Sequence, residues 1–482
     1  MPIFLRNFRQ KSLLNKVFYT LVTCLYCIVS LSAQAQSNEY FIIENVIVEG
    51  NLKTDDIIIF NELDLLPGDT VYLSEFSIRK TYNEKRLYST ALFTDVAINI
   101  KNWNVEESIG DIHITLQENW YIYPSLIFEL ADRNFSVWWS DQKRDFSRVN
   151  YGLGLEHINL TGHKDKLKLK FQQGYTHKYE IKYNYPYISN NWGMFGEIFY
   201  SNQKEIGYIT DQNKTLFQKH DDERVLLQRF RTGMGINYRQ NVFQFHNIKI
   251  EYHHNQIDKY VATELNPDYF LDGKDGIQFF SLKYDFTYDH RLFNLYPEGG
   301  YMLFGNITKE GIGIFGDFDN LSISGGFEKH FMLNKNWTFG GRFKAKTNLF
   351  RRKIAFANNT GLGYGNDLVR GYQSYVIDGT DWVILKTSLR YKLLDKNHNW
   401  GKAMALKQFK KMNIRLYIRA NLDFGYVNEP TYTATNTLNN KPLIGFGPAV
   451  DVLLFHTYKL SFEYSFNHLG QAGWDLRSAF NF

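Results

Sequence analysis

The sequence predicts a mainly β protein: an antiparallel transmembrane β-barrel of about sixteen strands, preceded by one small α+β domain in β-α-α-β-β order. Three observations carry that prediction. The 482 residues include 33 Tyr and 39 Phe against 9 Pro, yet mean hydropathy is −0.38, as expected when apolar and polar residues alternate along many strands. An export signal is followed by no apolar run of the ~20 residues that a membrane helix needs. From Trp120 onward, strand candidates follow one another with period two and no convincing helix between them. The net charge of +5 is small for this length and argues against a nucleic-acid partner.

Taken in order, residues 1–35 read as a secretory signal peptide. Arg6, Arg9, Lys11 and Lys16 precede an apolar run from Val17 to Leu31, and Ala33 and Ala35 supply the small residues of a cleavage site after Ala35. An uncleaved anchor competes poorly with those alanines, and a lipoprotein cysteine competes poorly with Thr23 and Tyr26. The only cysteines, Cys24 and Cys27, lie in this segment and are expected to leave with it, so they form no redox or metal motif.

Residues 38–118 read as a periplasmic domain. A strand is expected over Tyr40–Val48, a helix over Asp55–Leu63 with Thr54 as its N-cap, a turn at Leu66-Pro67-Gly68-Asp69, and a helix over Ser74–Leu87. Strands over Phe93–Ile100 and Ile112–Gln117 complete it. "VEGN" at Val48–Asn51, "LLPGD" at Leu65–Asp69 and "KRLYSTALFTDVAINI" at Lys85–Ile100 resemble a POTRA domain, the periplasmic module of outer-membrane assembly barrels. That resemblance implies binding of client strands by addition to an exposed sheet edge.

Residues 119–482 read as the barrel. Phe280, Leu282, Tyr284 and Phe286 alternate with Ser281, Lys283, Asp285 and Thr287; Ile414, Leu416 and Ile418 alternate with Arg415, Arg419 and Asp423 on the polar face. A soluble sandwich gives similar alternation. The export signal, the long aromatic-rich strands and a final strand bearing Trp474, Leu476, Phe480 and Phe482 on one face favour the membrane. Those four aromatic and apolar residues look like the terminal signal by which such barrels are recognised for insertion.

The stretch Gly361–Tyr391 organises the rest. Gly361, Gly363 and Gly365 leave a loop without regular structure, Leu368-Val369-Arg370-Gly371-Tyr372 follows, and a strand then turns Lys386, Ser388, Arg390 and Lys392 to one face. A cationic strand face fed by a long loop fits a water-filled lumen with the loop folded inside. "LVRGY", "SLRY", "YDFTYDHRLFNLYPEGGYM" at Tyr284–Met302 and "NLDFGYV" at Asn421–Val427 resemble the BamA/TamA outer-membrane assembly family. The resemblance implies a bacterial outer-membrane protein that inserts or passes client proteins. Its implied partners are unfolded outer-membrane or secreted clients, outer-membrane lipids, and accessory periplasmic proteins or lipoproteins. Two features depart from the family: one POTRA-like domain rather than an array, and Ser388 where a glutamate commonly precedes Leu-Arg.

The candidate site is the loop motif Val369, Arg370, Gly371 and Tyr372, with Asp423 as the carboxylate that anchors Arg370. No catalytic residue, metal site or cofactor is expected. His163 with Asp165 and His253 with Glu251 lack a third ligand, no nucleophile elbow is present, and Gly361-x-Gly363-x-Gly365 has no strand-to-helix setting for phosphate. A passive or substrate-specific pore and a dedicated secretion channel for one partner remain as alternative functions.

Overall fold

The computed structural model describes residues 39–132, 137–189, 191–404 and 410–480. The signal peptide, and the side chains of Phe480 and Phe482, lie outside the described residues. Contact density separates two units: the described parts of Met1–Ile47 with Leu65–Thr81 and Asn99–His113, and Val48–Asp64 with Tyr82–Ile98 and Ile114–Phe482.

The N-terminal elements are β1 (Tyr40–Glu49), α1 (Asp56–Phe60), β2 (Thr70–Tyr72), α2 (Leu73–Ser89), β3 (Phe93–Asn104) and β4 (Ile109–Glu118). Their four strands run in the order β2-β1-β4-β3. Two expectations need correction. A short strand stands between the helices, because the turn ending at Asp69 returns the chain to pair Val71 with Phe41. The N-cap of α1 is Asp55, and it makes no side-chain cap bond. Thr54 is committed elsewhere: its hydroxyl lies 2.9 Å from the Tyr121 hydroxyl and accepts from Asn159 Nδ2 at 2.9 Å. α1 is also shorter than expected, since Glu62 and Leu63 donate to the carbonyls of Ile59 and Phe60 in three-residue turns.

Sixteen strands form one antiparallel sheet. In chain order they begin with β5 (Ile122–Leu130), β6 (Val149–Ile158), β7 (Lys166–Gly174), β8 (Thr176–Tyr185) and β9 (Trp192–Gln203). A separate hairpin, β10 (Glu205–Asp211) and β11 (Lys214–Lys219), interrupts the series. The sheet resumes with β12 (Leu227–Arg239), β13 (Gln244–Ile257), β14 (Gly276–Asp289), β15 (Gly300–Glu310), β16 (Asn320–Met332) and β17 (Trp337–Asn348). It ends with β18 (Asp381–Asn399), β19 (Lys411–Asn428), β20 (Leu443–Leu454), β21 (Tyr458–Asn467) and β22 (Ala472–Phe480). The two ends of the series meet: one cavity is lined by Phe128 and Leu130 of β5 and by Leu476 of β22. The sheet is therefore rolled into a barrel.

Its burial is inverted relative to a water-soluble sheet. On β19, Arg415, Arg419, Asn421 and Asp423 are buried while Ile418, Leu422, Phe424 and Tyr426 are exposed. On β5, Leu126 is 85% exposed. Charged residues line the interior, and the outer surface is apolar, which suits a hydrocarbon surround and a polar lumen.

Candidate functional site

Two segments enter the lumen from opposite ends, as the antiparallel order dictates: residues 349–380 between β17 and β18, and residues 290–299 between β14 and β15. The first carries the motif. Its glycine spacing prevents a continuous helix or strand, so it folds as a series of turns. Apolar Leu362, Leu368, Val369, Tyr372 and Ile377 then pack against Trp382, Ile384, Val427 and Leu443 of the wall and Leu438 of the β19–β20 connection. Burial of those side chains supplies the adhesion that the irregular backbone cannot.

The polar anchor sits on this apolar seat. Arg370 Nη1 donates to Asp423 Oδ1 at 2.6 Å, and the Arg370 backbone N–H donates to Asp423 Oδ2 at 3.1 Å. Arg370 Nε is 3.3 Å from Glu463 Oε2 on β21. Asp423 is 0% exposed, so the pair is withdrawn from bulk water and is stronger for it. Two glycines make the approach possible. A Cβ on Gly445 would stand 1.6 Å from the Arg370 carbonyl oxygen, and Gly371 has φ +87° with space for its missing Cβ taken by the Phe466 carbonyl. Tyr372 is fully buried, with its hydroxyl against the Ile444 carbonyl at 3.3 Å and against His468.

Arg370 belongs to a longer chain of ion pairs. Arg419 of β19 bonds Glu463 through Nη2 and Asp451 of β20 through Nε at 2.8 Å. Asp451 in turn accepts from the Tyr296 hydroxyl at 2.5 Å. Tyr296 lies in the turn from the other end of the barrel, and the Arg390 guanidinium stacks 4.5 Å from its ring. The two inward segments are thus joined through the inner faces of β19, β20 and β21. The alternation of β19 puts Arg419 on the polar face but does not identify its partners Asp451 and Glu463, nor Tyr296 beyond them. The signal for these was the charge on inward positions of neighbouring strands, which becomes a contact only once register is known.

The expected insertion-signal residues are placed only in part. Trp474 packs its ring 6.4 Å from Trp139 and 6.1 Å from Phe462, and Leu476 is exposed on the outer surface.

Comparison with known proteins adds the fold. No protein-family model matches the chain. No curated protein matches it either. Among solved structures, it resembles BamA from Haemophilus ducreyi lacking POTRA domains 1–3, with TM-score 0.50 and 14% identity over 91% of this chain and 84% of that one. It also resembles CdiB from Escherichia coli, with TM-score 0.54 and 14% identity over 92% of this chain and 76% of that one. The chain shares the fold of these two proteins. At 14% identity the likeness is one of architecture, and the role of each side chain has to be argued from this chain's own geometry.

Proposed function

We propose that the chain is an outer-membrane assembly or translocation protein of the BamA/TamA type, which helps client polypeptides into or across the bacterial outer membrane. The observation that carries this reading is the anchored inward loop: Arg370 on Asp423, inside a sixteen-stranded barrel with an apolar outer surface. A lumen entered from both ends by segments tied to its wall suits a barrel that works through strand edges better than a wide passive pore. In this reading the end carrying the N-terminal domain faces the periplasm, and residues 349–380 come from the outer side. The outer apolar surface meets lipid, and accessory periplasmic proteins or lipoproteins act at the N-terminal domain. No chemical step is part of the proposal.

Clients would be bound by main-chain pairing, which accepts unfolded chains with little sequence preference. In the N-terminal sheet β1 is internal, and the long edge is β3. Strand addition is therefore assigned to β3, where Lys101 is exposed. A photoreactive residue at position 101 is expected to capture unfolded outer-membrane or secreted chains far more than one at Ile78 on α2. Equal capture at both positions would contradict the assignment. Single-channel recording separates the pore alternative: this reading expects small, erratic conductance, and a porin would give large, steady steps.

A further inference from the structure

A cavity of about 240 Å³ opens on the inner wall beside the Arg370 anchor, and its lining is cationic. Arg342, Arg370, Lys386, Arg390, Arg419 and Lys459 face it, with Glu328 as the one carboxylate among them. Asp423, Asp451 and Glu463 stand beside these cations but are already held by Arg370 and Arg419. With every group ionised, six cationic groups against four carboxylates leave a formal excess of two positive charges.

The excess can be located. Lys386 Nζ donates to the Asn366 carbonyl at 3.1 Å, Lys459 Nζ lies 5.2 Å over the Tyr296 ring, and Arg390 donates to the Pro297 carbonyl and contacts His330 Nδ1 at 2.8 Å. No carboxylate forms a salt bridge with any of the three among the described residues. Arg390 is 4% exposed, and its Nε–H has no hydrogen-bond partner there. A buried guanidinium N–H without an acceptor is costly. Position 388, on the same inward face, is serine, so Ser388 offers a hydroxyl donor to this space and no carboxylate.

We propose that this cavity binds a small, doubly charged oxyanion of the phosphate class, held by Lys386, Arg390 and Lys459. The volume suits such an ion and excludes a folded ligand. Two negative charges match the excess, and tetrahedral oxygens are the acceptors that the Arg390 Nε–H and the lining ammonium groups lack. The proposal uses no premise about client handling, so its failure would leave the proposed function untouched.

The test is equilibrium dialysis of the purified full-length barrel in detergent with radiolabelled inorganic phosphate over a chloride background. Saturable binding of one phosphate per chain, displaced by sulfate, is expected. Lys386→Met with Lys459→Met should weaken it at least tenfold, while Lys170→Met on β7 leaves it unchanged. Ser388→Glu adds a carboxylate to the cavity and should weaken binding without removing any wall residue; it serves if the double variant does not fold, which resistance to unheated detergent will report. In barrels reconstituted into phosphatidylcholine vesicles, competition by added phosphatidic acid would identify a lipid phosphate as the source of the group. Its absence would identify the soluble ion. Non-saturable binding, or equal affinity in the wild type, the double variant and Ser388→Glu, would overturn the proposal.

Discussion

Replacing Arg370 with alanine removes the one side chain that joins the inward loop to two carboxylates of the wall. Asp423 is fully buried, so the substitution leaves a buried charge with reduced compensation, a situation that typically costs ~3–5 kcal/mol. Two features of the structure point to the low end. Asp423 would keep the backbone N–H of residue 370 at 3.1 Å, and it faces Lys386 across the β18–β19 ladder. A loss of ~3 kcal/mol corresponds to a shift of about 100-fold between the anchored and released loop. Hydrogen exchange reads that shift. The amides of Leu362, Tyr372 and Val376, which donate within the loop and to Asn213, should exchange about 100-fold faster, with β19 unchanged. The barrel itself should stay inserted. Arg370→Lys should recover only part of the protection, because a point charge cannot serve Asp423 and Glu463 together. Loop amides as protected in Arg370→Ala as in the wild type would refute the reasoning.

Three further outcomes follow from the same geometry. Gly445→Ala places a Cβ against the Arg370 carbonyl and should displace the loop at a cost of ~1–3 kcal/mol, read as faster proteolysis within residues 361–380. Asp378, in the loop region, has its carboxyl raised above the ordinary 3.8 by burial and by the charge of Glu429, against hydrogen bonds from Tyr364 and Asn436. Because the fold favours its protonated form, its contribution to loop stability is complete below the ordinary value and is lost as pH rises through the folded one. Proteolytic resistance of the loop should therefore fall from acid to neutral pH, and Asp378→Asn should flatten that profile and raise resistance at pH ~7. Tyr296→Phe removes the hydroxyl that reaches Asp451 and should loosen residues 290–299 without releasing Arg370, which hydrogen exchange in the two segments distinguishes.

The strand plan was readable because it needs only period-two alternation. Phe280 to Thr287, read as one alternating strand, fall within β14, and Ile414 to Asp423 fall within β19. Arg370 and Asp423 were legible as a pair because a lone arginine beside a glycine needs a carboxylate, and Asp423 shares an inward face with Arg415 and Arg419. The rest of the network was not. Arg419 reaches Asp451 and Glu463 across two further strands, and ladder offsets of this kind are set by backbone register rather than composition. Tyr296 was hidden for another reason: it lies in a turn, and whether a turn folds inward depends on the wall it meets. The three-residue β2 escaped because so short an element has no period to detect.

The most direct test of the account is the folding of an unfolded outer-membrane client, such as an eight-stranded barrel, in lipid vesicles containing this protein. The client should gain protease protection and folded mobility faster than in empty vesicles. Vesicles carrying Arg370→Ala, inserted to the same level, should lose most of that acceleration. Client folding or uptake at the same rate in empty, wild-type and variant vesicles would contradict the central claim.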